Sequence, residues 1–292
     1  MIEAPTTRVR LDIAYDGTDF SGWAKQPGLR TVQGELEQAL ATVFRRSGAT
    51  PALVVAGRTD AGVHATGQVA HLDLTHTQLQ QLAGHRPPRP LDQVPDVLRD
   101  RLNGIAGLRS DVVVRSASFA PAGFDARFSP VWRRYEYRIA DALAQRNPLL
   151  RRHTLWYPAA LDVEAMNAAT GVLTGLHDWA AYCRPREHAT SIRELQRFDW
   201  QRDAGGVLVA RLQADAFCHS MVRALVGAAV AVGEGRLPGE RMRSLRDEAV
   251  RVNEFKVMPA LGLTLTEIGY PAENELGARA EQTRAIRESP VQ

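Results

Sequence analysis

The stretch Gly57-Arg58-Thr59-Asp60-Ala61-Gly62-Val63-His64 constrains the fold of this chain more than any other feature. Small apolar residues precede it at 52–56, and apolar and polar residues alternate after it at 69–74. Because such alternation is typical of a half-buried strand and glycine favours tight turns, the pattern predicts strand, turn and strand. Arg58 and Asp60 then lie on the turn, either as functional groups or as an Asx-turn residue and its surface partner.

The length and composition of the chain indicate a globular protein. Its 292 residues can bury one large core or two smaller ones, and 45% hydrophobic and 24% charged residues are ordinary values. No apolar run approaches the roughly 20 residues of a membrane span. Residues 1–5 lack the basic and apolar regions of a signal peptide. We therefore expect a cytoplasmic protein.

Cys183 and Cys218 are the two cysteines of the chain. Their spacing matches neither a C-x-x-C motif nor a disulfide framework, so the sequence indicates neither a zinc site nor an iron–sulfur cluster. Cysteines used in this way fit a reducing compartment, which agrees with the expected cytoplasmic location.

Arginine dominates the basic side chains. The net charge is only +3, but all of the 36 basic residues except Lys25 and Lys256 are arginines. Codon bias in a GC-rich genome explains this preference without any function, whereas guanidinium groups also suit phosphate contacts and stacking on bases. Seven arginines fall close together in the middle of the chain: Arg127, Arg133, Arg134, Arg138, Arg146, Arg151 and Arg152. Interleaved with Trp132, Tyr135 and Tyr137, they favour a nucleic-acid surface.

The secondary-structure patterns predict two halves with similar element order. The first half has predicted strands at 9–15 and 112–119 around the 57–64 turn, with helices at 32–44, capped by Thr31, and at 94–102. The second has predicted strands at 134–139, 192–200, 207–214 and 264–270, with helices at 162–173 and 218–233. The strand–helix–strand recurrence is ferredoxin-like. We predict an α+β fold whose two ferredoxin-like halves share a mostly antiparallel central sheet flanked by helices.

Composition sets the predicted domain boundaries. The N-terminal α+β half, which carries the Asp60 turn, occupies 1–120, a connector occupies 121–130, and the C-terminal α+β half occupies 131–271. Residues 76–96, rich in Gln, Pro and Arg, are predicted to form a surface insertion. Residues 272–292 are polar and aperiodic, which predicts a disordered tail.

A second tract, Phe217-Cys218-His219-Ser220-Met221-Val222-Arg223, opens the apolar helix of the second half. His219 and Arg223 lie four residues apart and therefore share a predicted helix face. A guanidinium on a buried helix needs an acidic partner, for which Asp60 is one candidate and another, purely structural carboxylate is the alternative. An ion pair with Arg223 would lower the pKa of Asp60 and keep its carboxylate nucleophilic.

These tracts resemble the tRNA pseudouridine synthase A family. The stretch at 57–64 is similar to the family's signature. Four further tracts, one before this stretch and three after it, occur in the family's order over most of the chain. They are Tyr15-Asp16-Gly17-Thr18-x-Phe20-x-Gly22-Trp23; Phe124-x-Ala126-Arg127-Phe128-Ser129 with Arg133-Arg134-Tyr135-x-Tyr137; Met221-Val222-Arg223 with Val226-Gly227; and Ala260-x-Gly262-Leu263. The chain departs from the family at Ala224, where Asn is frequent, and at 76–96, which is longer than the usual connection.

The resemblance implies an isomerase of the pseudouridine synthase fold that converts uridine to pseudouridine. The bond from C1′ to N1 breaks, the base turns, and C5 bonds to C1′, so the reaction needs no cofactor and no metal. The sequence likewise has neither a dinucleotide-binding glycine fingerprint nor a phosphate loop. Asp60 matches the family's catalytic residue, which attacks C1′ or stabilises the positive charge that develops there.

The same resemblance assigns substrate-binding roles to three residues. Tyr135 matches the family's active-site tyrosine, which stacks on the target base and can accept a proton; a core aromatic is its structural alternative. Arg58 contacts phosphate or holds the place of the flipped base, and Arg223 pairs with Asp60. The family acts as a homodimer on three consecutive uridine positions of the tRNA anticodon stem-loop, so tRNA and a second copy are the expected partners.

Two other functions compete with this interpretation. A non-catalytic RNA-binding protein of ferredoxin-like fold would carry paired aromatics in RNP-like tracts, which this sequence lacks. An N-glycosidase would need a second carboxylate or a positioned water. Its nearest candidates, Asp16 and Asp73, are better explained as turn and strand residues.

Overall fold

The computed structural model describes residues 5–84, 87–185 and 190–284, which divide into two compact units. Unit 1 comprises residues 5–130 and 270–284, and unit 2 comprises Val131–Gly269. The predicted connector at 121–130 packs within unit 1, where Phe124 and Ala126 are buried. No helix in these described ranges is long and apolar enough to cross a membrane.

Unit 1 has the predicted ferredoxin-like element order with one additional helix. Its elements are β1 (Thr6–Tyr15), α1 (Val32–Val43), β2 (Val54–Val55), β3 (His64–Thr75), α2 (His76–Ala83), α3 (Val94–Ala106) and β4 (Val112–Phe119). The strands lie in the order β4–β1–β3–β2, and all neighbours are antiparallel. This arrangement confirms the α+β fold class for the first half.

Local sequence signals account for the start of unit 1. Val9, Leu11 and Ile13 are fully buried on one face of β1, as the alternation predicts. Thr31 caps α1 as predicted, because its hydroxyl accepts a hydrogen bond from the N–H of Gly34 at 3.2 Å.

The segment at 76–96 differs from the predicted surface insertion. Helix α2 begins there because Thr75 and Gln78 form a capping box, in which each side chain bonds the backbone of the other. Leu79 and Leu82 are buried, so α2 contributes to the core of unit 1. Residues 85–86 of this segment lie outside the described residues.

Unit 2 has the same order with two added short strands. Its elements are β5 (Trp132–Ala140), β6 (Leu155–Trp156), α4 (Val163–Gly171), β7 (Gly175–Asp178), β8 (Ile192–Arg202), β9 (Leu208–Ala214), α5 (Met221–Gly233), α6 (Gly239–Glu248) and β10 (Leu263–Gly269). The strands lie in the order β10–β5–β9–β8–β7, all antiparallel, while β6 pairs with β5 in parallel. The second predicted α+β half is confirmed, with helices flanking its sheet.

The C-terminal segment differs from the predicted disordered tail. Helix α7 (Leu276–Arg284) packs on unit 1 through Leu276 and Ala280, which are buried. Two apolar residues four positions apart make one helical contact but too short a stripe for the sequence pattern to reveal. The part of the predicted tail at 285–292 lies outside the described residues.

Cys183 and Cys218 form a disulfide bond, with their Cα atoms 5.7 Å apart. The sequence expectation that the cysteines are unpaired is therefore wrong. The two cysteines are 35 positions apart, and the segment between them includes the β8–β9 hairpin, which brings the chain back towards Cys183. The adjacent backbone N–H of Arg184 donates to the carbonyl of His219 at 2.9 Å. Tertiary proximity, rather than motif spacing, creates this pair.

Stability of unit 1 is expected to fall as the pH drops from about 6.5 to about 4. His71 is buried, and its Nδ1 accepts the N–H of Ala126 at 3.0 Å. Burial and then the charge of Arg8 lower the pKa of His71 from 6.5 to about 4. The unfolded chain takes up this proton at a higher pH than the folded protein does. The lowered pKa therefore contributes up to about 3 kcal/mol to the unfolding free energy above pH 6.5, and this contribution is lost as the pH falls to about 4. Urea unfolding across this pH range measures the loss.

The variant His71→Asn provides the control for this pH dependence. Its side-chain oxygen can accept the same N–H but cannot titrate in this range. The unfolding free energy of the variant should therefore change less with pH than that of the wild type. Equal pH slopes for the two proteins would show that His71 does not govern the acid lability.

Candidate active site

The turn between β2 and β3 presents Asp60, as the sequence predicts. Asp60 is half-buried, its neighbour Thr59 is buried, and Arg58 is exposed. Gly62 has a φ of +77°, a conformation that glycine adopts without steric cost. The N–H of Val63 donates to the carbonyl of Asp60 at 3.2 Å and closes the turn. The carboxylate and the guanidinium therefore lie on a tight, ordered turn.

The loop at 17–23 holds the backbone of this turn from one side. The N–H of Trp23 donates to the carbonyl of Thr59 at 3.0 Å. A Cβ atom on Gly22 would lie only 2.9 Å from that carbonyl oxygen, and Gly22 has a φ of +96°. Glycine is therefore required at this position for the loop to approach the residue that precedes Asp60.

A buried side-chain network holds the turn from the core. The hydroxyl groups of Tyr15 and Thr59 lie 2.7 Å apart, and the amide of Gln68 donates to the Tyr15 oxygen at 3.3 Å. The same amide donates to the carbonyl of Gly57 at 2.9 Å. Burial raises the pKa of Tyr15 to about 12, so the phenol stays neutral and keeps its proton for hydrogen bonding.

Sequence patterns missed this network, although they placed Tyr15 correctly on a strand. Tyr15 and Thr59 are 44 residues apart, and Gln68 is 53 residues from Tyr15. Gln68 is a polar residue on a strand next to the 57–64 motif, and the structure shows that it is 0% exposed. Because a buried amide needs hydrogen-bond partners, the position of Gln68 is the one signal that could have indicated this network.

The two carboxylates that an N-glycosidase could use have structural roles, as predicted. Asp16 accepts both the N–H and the hydroxyl of Thr18, at 3.0 and 2.6 Å, which makes it an Asx-turn residue. Asp73 lies on β3 and accepts two hydrogen bonds of 2.7 Å from the guanidinium of Arg8. These bonds hold the pKa of Asp73 below its usual value. Both carboxylates therefore have structural partners.

Tyr135 lies on β5 of unit 2 and is partly exposed. The edge of its ring meets the ring of Phe217 at a centroid distance of 5.2 Å and an angle of 88°. Tyr137, two residues further along the same face, is 0% exposed and donates its hydroxyl to the carbonyl of Pro259 at 2.8 Å. Tyr137 is therefore a core residue, whereas Tyr135 is only partly buried.

Arg223 is the one residue of α5 that is not buried. Its guanidinium donates to the hydroxyl of Ser220 at 3.1 Å and to the carbonyl of Met258 at 3.4 Å. The predicted helix start at 218 is wrong, because Ser220 has a φ of +65° and the helix begins at the next residue. His219 therefore lies outside the helix and does not share a helix face with Arg223.

Within the described residues, no group of three or more His, Cys, Asp or Glu side chains is arranged to hold a metal ion. The predicted site residues belong to both units. Asp60 and Arg58 lie on the turn in unit 1, and Tyr135 and Arg223 lie in unit 2. A half-buried carboxylate on a fixed turn can act as a nucleophile or stabilise a developing positive charge.

Comparison with known proteins matches residues 169–271 to a family model described as tRNA pseudouridine synthase. Curated proteins match nearly the whole chain. A tRNA pseudouridine synthase A of Leifsonia xyli is 61% identical over 281 residues, which cover 96% of this chain and 98% of the relative. Proteins of the same name from Streptomyces griseus and Frankia casuarinae are each 52% identical; they cover 97% of this chain, and 95% and 97% of their own lengths are matched.

The hydroxyl pair of Tyr15 and Thr59 is expected to stabilise unit 1 and the Asp60 turn. Tyr15→Phe and Thr59→Val each leave one buried polar partner unsatisfied, which should lower the unfolding free energy by about 1–2 kcal/mol. Hydrogen exchange of the amides at 57–63 should become faster in both variants, because the turn loses its attachment to the core.

Two controls test the assignment of this loss to one hydrogen bond. Thr59→Ser keeps the hydroxyl and should retain most of the wild-type stability. The double variant Tyr15→Phe/Thr59→Val should be about as stable as Tyr15→Phe alone, because Tyr15→Phe already removes the bond that Thr59→Val would break. Fully additive losses would show that the two hydroxyl groups stabilise the protein independently.

Proposed function

Because the chain belongs to the tRNA pseudouridine synthase A family, we propose that it isomerises uridine to pseudouridine in the anticodon stem-loop of tRNA, with Asp60 as the nucleophile. The observation that carries this proposal is the half-buried carboxylate of Asp60, on a turn fixed by Thr59 in the core and by the 17–23 loop. A catalytic carboxylate must be held in one geometry, and the contacts of Thr59 with the core and with the loop, which hold the backbone beside Asp60, support this role.

The reaction rearranges bonds within one nucleotide, so one ionised carboxylate suffices. The target uridine leaves the base stack, since its C1′ is otherwise out of reach. As the bond from C1′ to N1 breaks, its electron pair goes to the base, and the Asp60 carboxylate bonds to C1′ or stabilises its positive charge. The base then turns, C5 bonds to C1′, the proton on C5 leaves, and N1 takes up a proton.

Tyr135 has the contacts expected of a base-stacking residue. Its ring packs against that of Phe217 in a T-shaped arrangement, so packing contributes to the position of the phenol. Its hydroxyl can accept a proton during the ring chemistry. Tyr135 is therefore assigned to the target base, as both stacking platform and proton acceptor.

Two arginines complete the proposed substrate-binding set. Arg58 is exposed beside Asp60, which suits contact with a phosphate or with the space that the flipped base leaves. Arg223, anchored by Ser220 and Met258, retains its predicted role as the counter-ion of Asp60. That ion pair stays a prediction.

Two further properties of this protein are proposed from the family. A homodimer is expected, since the family works in pairs whose surfaces cradle the RNA. A cytoplasmic location is expected because tRNA is the substrate. The Cys183–Cys218 bond means that the cysteines no longer support this location by themselves.

Asp60→Asn should abolish turnover while tRNA binding persists. An amide cannot attack C1′ or balance a positive charge, so the rate should fall by at least about a thousandfold. Tritium release from tRNA labelled at uridine C5 measures turnover, and filter binding measures affinity. Asp92→Asn, which changes an exposed carboxylate of the same unit, is the matched control. Wild-type turnover by Asp60→Asn would show that Asp60 is not the nucleophile.

The same assay separates the competing functions. A non-catalytic RNA-binding protein would bind tRNA tightly without releasing tritium, in the wild type as well as in the variant. An N-glycosidase would release free uracil into the product mixture. Tritium release without free uracil is the outcome that the proposed isomerase requires.

Tyr135→Phe should slow the chemical step by about tenfold or more, because it removes the hydroxyl that accepts a proton but keeps the stacking ring. Single-turnover rates at saturating tRNA measure this step, and the dissociation constant should change little. Tyr182→Phe removes a hydroxyl that donates to the carbonyl of Met242 elsewhere in unit 2 and is the matched control. Wild-type kinetics for Tyr135→Phe would refute an acid–base role for its hydroxyl.

A further inference from the structure

The segment at 142–161 is an ordered, basic projection of unit 2, which we call the arm. It contains Arg146, Arg151 and Arg152 and neither Asp nor Glu. Its apolar side chains are unusually exposed, since Leu149 is 86% accessible and Trp156 is 40% accessible. An exposed segment with such a charge and an accessible indole ring is typical of a nucleic-acid contact.

A buried ion pair closes the base of the arm. Asp141 is 0% exposed, and its carboxylate accepts two hydrogen bonds from the guanidinium of Arg202, at 2.9 and 2.7 Å. The same carboxylate accepts the N–H of Leu143 at 3.2 Å and that of Leu161 at 3.0 Å, at opposite ends of the arm. Burial alone would raise the pKa of Asp141, but these bonds outweigh it and hold the pKa below the usual value.

The interior of the arm is ordered as well. Its strand β6 pairs in parallel with the end of β5, and the N–H of Tyr157 donates to the carbonyl of Ala140 at 2.8 Å. Asn147 caps a short turn through the N–H of Leu149 at 3.0 Å. The arginines of the arm are therefore presented by a fixed backbone, which reduces the entropy lost on binding a partner.

Arg146 and Arg151 of the arm differ from several other arginines of unit 2, which pair with carboxylates. Four such pairs are Arg134 with Glu267, Arg138 with Asp203, Arg211 with Glu136 and Arg236 with Glu234. Among the residues that the structure describes, neither Arg146 nor Arg151 has a carboxylate within ion-pair distance. The guanidinium of Arg146 lies 5.6 Å from the ring centre of Trp156, and Arg151 donates to the carbonyl of Pro148 at 2.9 Å.

The arm begins at a distance from Tyr135. The arm follows Ala140 at the end of β5, five residues beyond Tyr135, which is about 17 Å along a strand. A polyanion that spans several nucleotides reaches both places, whereas a single flipped base does not.

From these observations we propose that the arm binds the tRNA backbone away from the target nucleotide, with Arg146 and Arg151 on phosphates and Trp156 as a stacking surface. The proposal rests on the proposed function, because it takes tRNA as the partner. It assigns the arm to affinity, since phosphate contacts set affinity and its salt dependence.

The double variant Arg146→Ala/Arg151→Ala tests this proposal. Binding of unmodified tRNA should weaken about tenfold, and the slope of log K against log salt should become shallower by about 1.5. The effect on tritium release should fall on KM rather than on the single-turnover rate at saturating tRNA. The matched control, Arg197→Ala/Arg243→Ala, removes two ion-paired arginines of the same unit and should leave the salt slope unchanged. Arg146→Lys/Arg151→Lys should restore most of the slope.

The outcomes distinguish the two proposals. If the wild-type protein releases no tritium, the proposed function fails, whatever the arm variant does. If the wild type is active and the arm variant binds tRNA with wild-type affinity and salt slope, the arm proposal is wrong. Equal weakening by the control variant would also overturn it, because general charge would then explain binding. So would a changed oligomeric mass with an unchanged salt slope, since the arm would then contact a second copy.

Discussion

The hydrogen bond between the buried hydroxyl groups of Tyr15 and Thr59 is the contact on which the proposed catalytic geometry depends. Thr59 immediately precedes Asp60, so its side chain and its carbonyl determine where the carboxylate begins. The core holds the side chain of Thr59 through Tyr15, and the backbone N–H of Trp23 holds its carbonyl. A turn with one of these attachments could rotate, whereas both together hold the backbone that carries Asp60.

In unit 2, strand alternation and buried anchors likewise position the groups proposed to bind substrate. Tyr137 fixes β5 by burying its ring and bonding the carbonyl of Pro259, and this positions Tyr135 two residues earlier on the same face. Helix α5 is buried along its whole length except at Arg223, whose bonds to Ser220 and Met258 hold the guanidinium. Apolar packing thus determines the positions, and a few polar groups carry the chemistry.

The arginines separate into two populations that composition cannot distinguish. Arg134 and Arg211 lie beside Glu267 and Glu136 of neighbouring strands and contribute little net positive field. Arg146 and Arg151 lie in a segment without acidic residues and have no carboxylate within ion-pair distance among the described residues. The seven clustered arginines of the sequence therefore overestimate the extent of the nucleic-acid surface. The register between neighbouring strands helps to determine which of these arginines pair with a carboxylate.

The sequence by itself determined the features that depend on neighbouring residues. Alternation predicted β1, the Thr31 cap predicted the start of α1, and glycine spacing predicted the turn that carries Asp60. The α+β class followed from the order of these elements. Each of these signals acts within a few residues, so local chemistry is sufficient to reveal it.

Only the tertiary structure decided which distant residues meet. Register placed Gln68 and Tyr15 beside Thr59, and the β8–β9 hairpin brought Cys183 to Cys218. The left-handed backbone conformation of Ser220 places the start of α5 later than the sequence predicted. The packing of Leu276 and Ala280 stabilises α7 in a segment that has no helical periodicity. The physical reason is the same in each case: burial and hydrogen-bond satisfaction depend on neighbours in space, which a one-dimensional pattern does not contain.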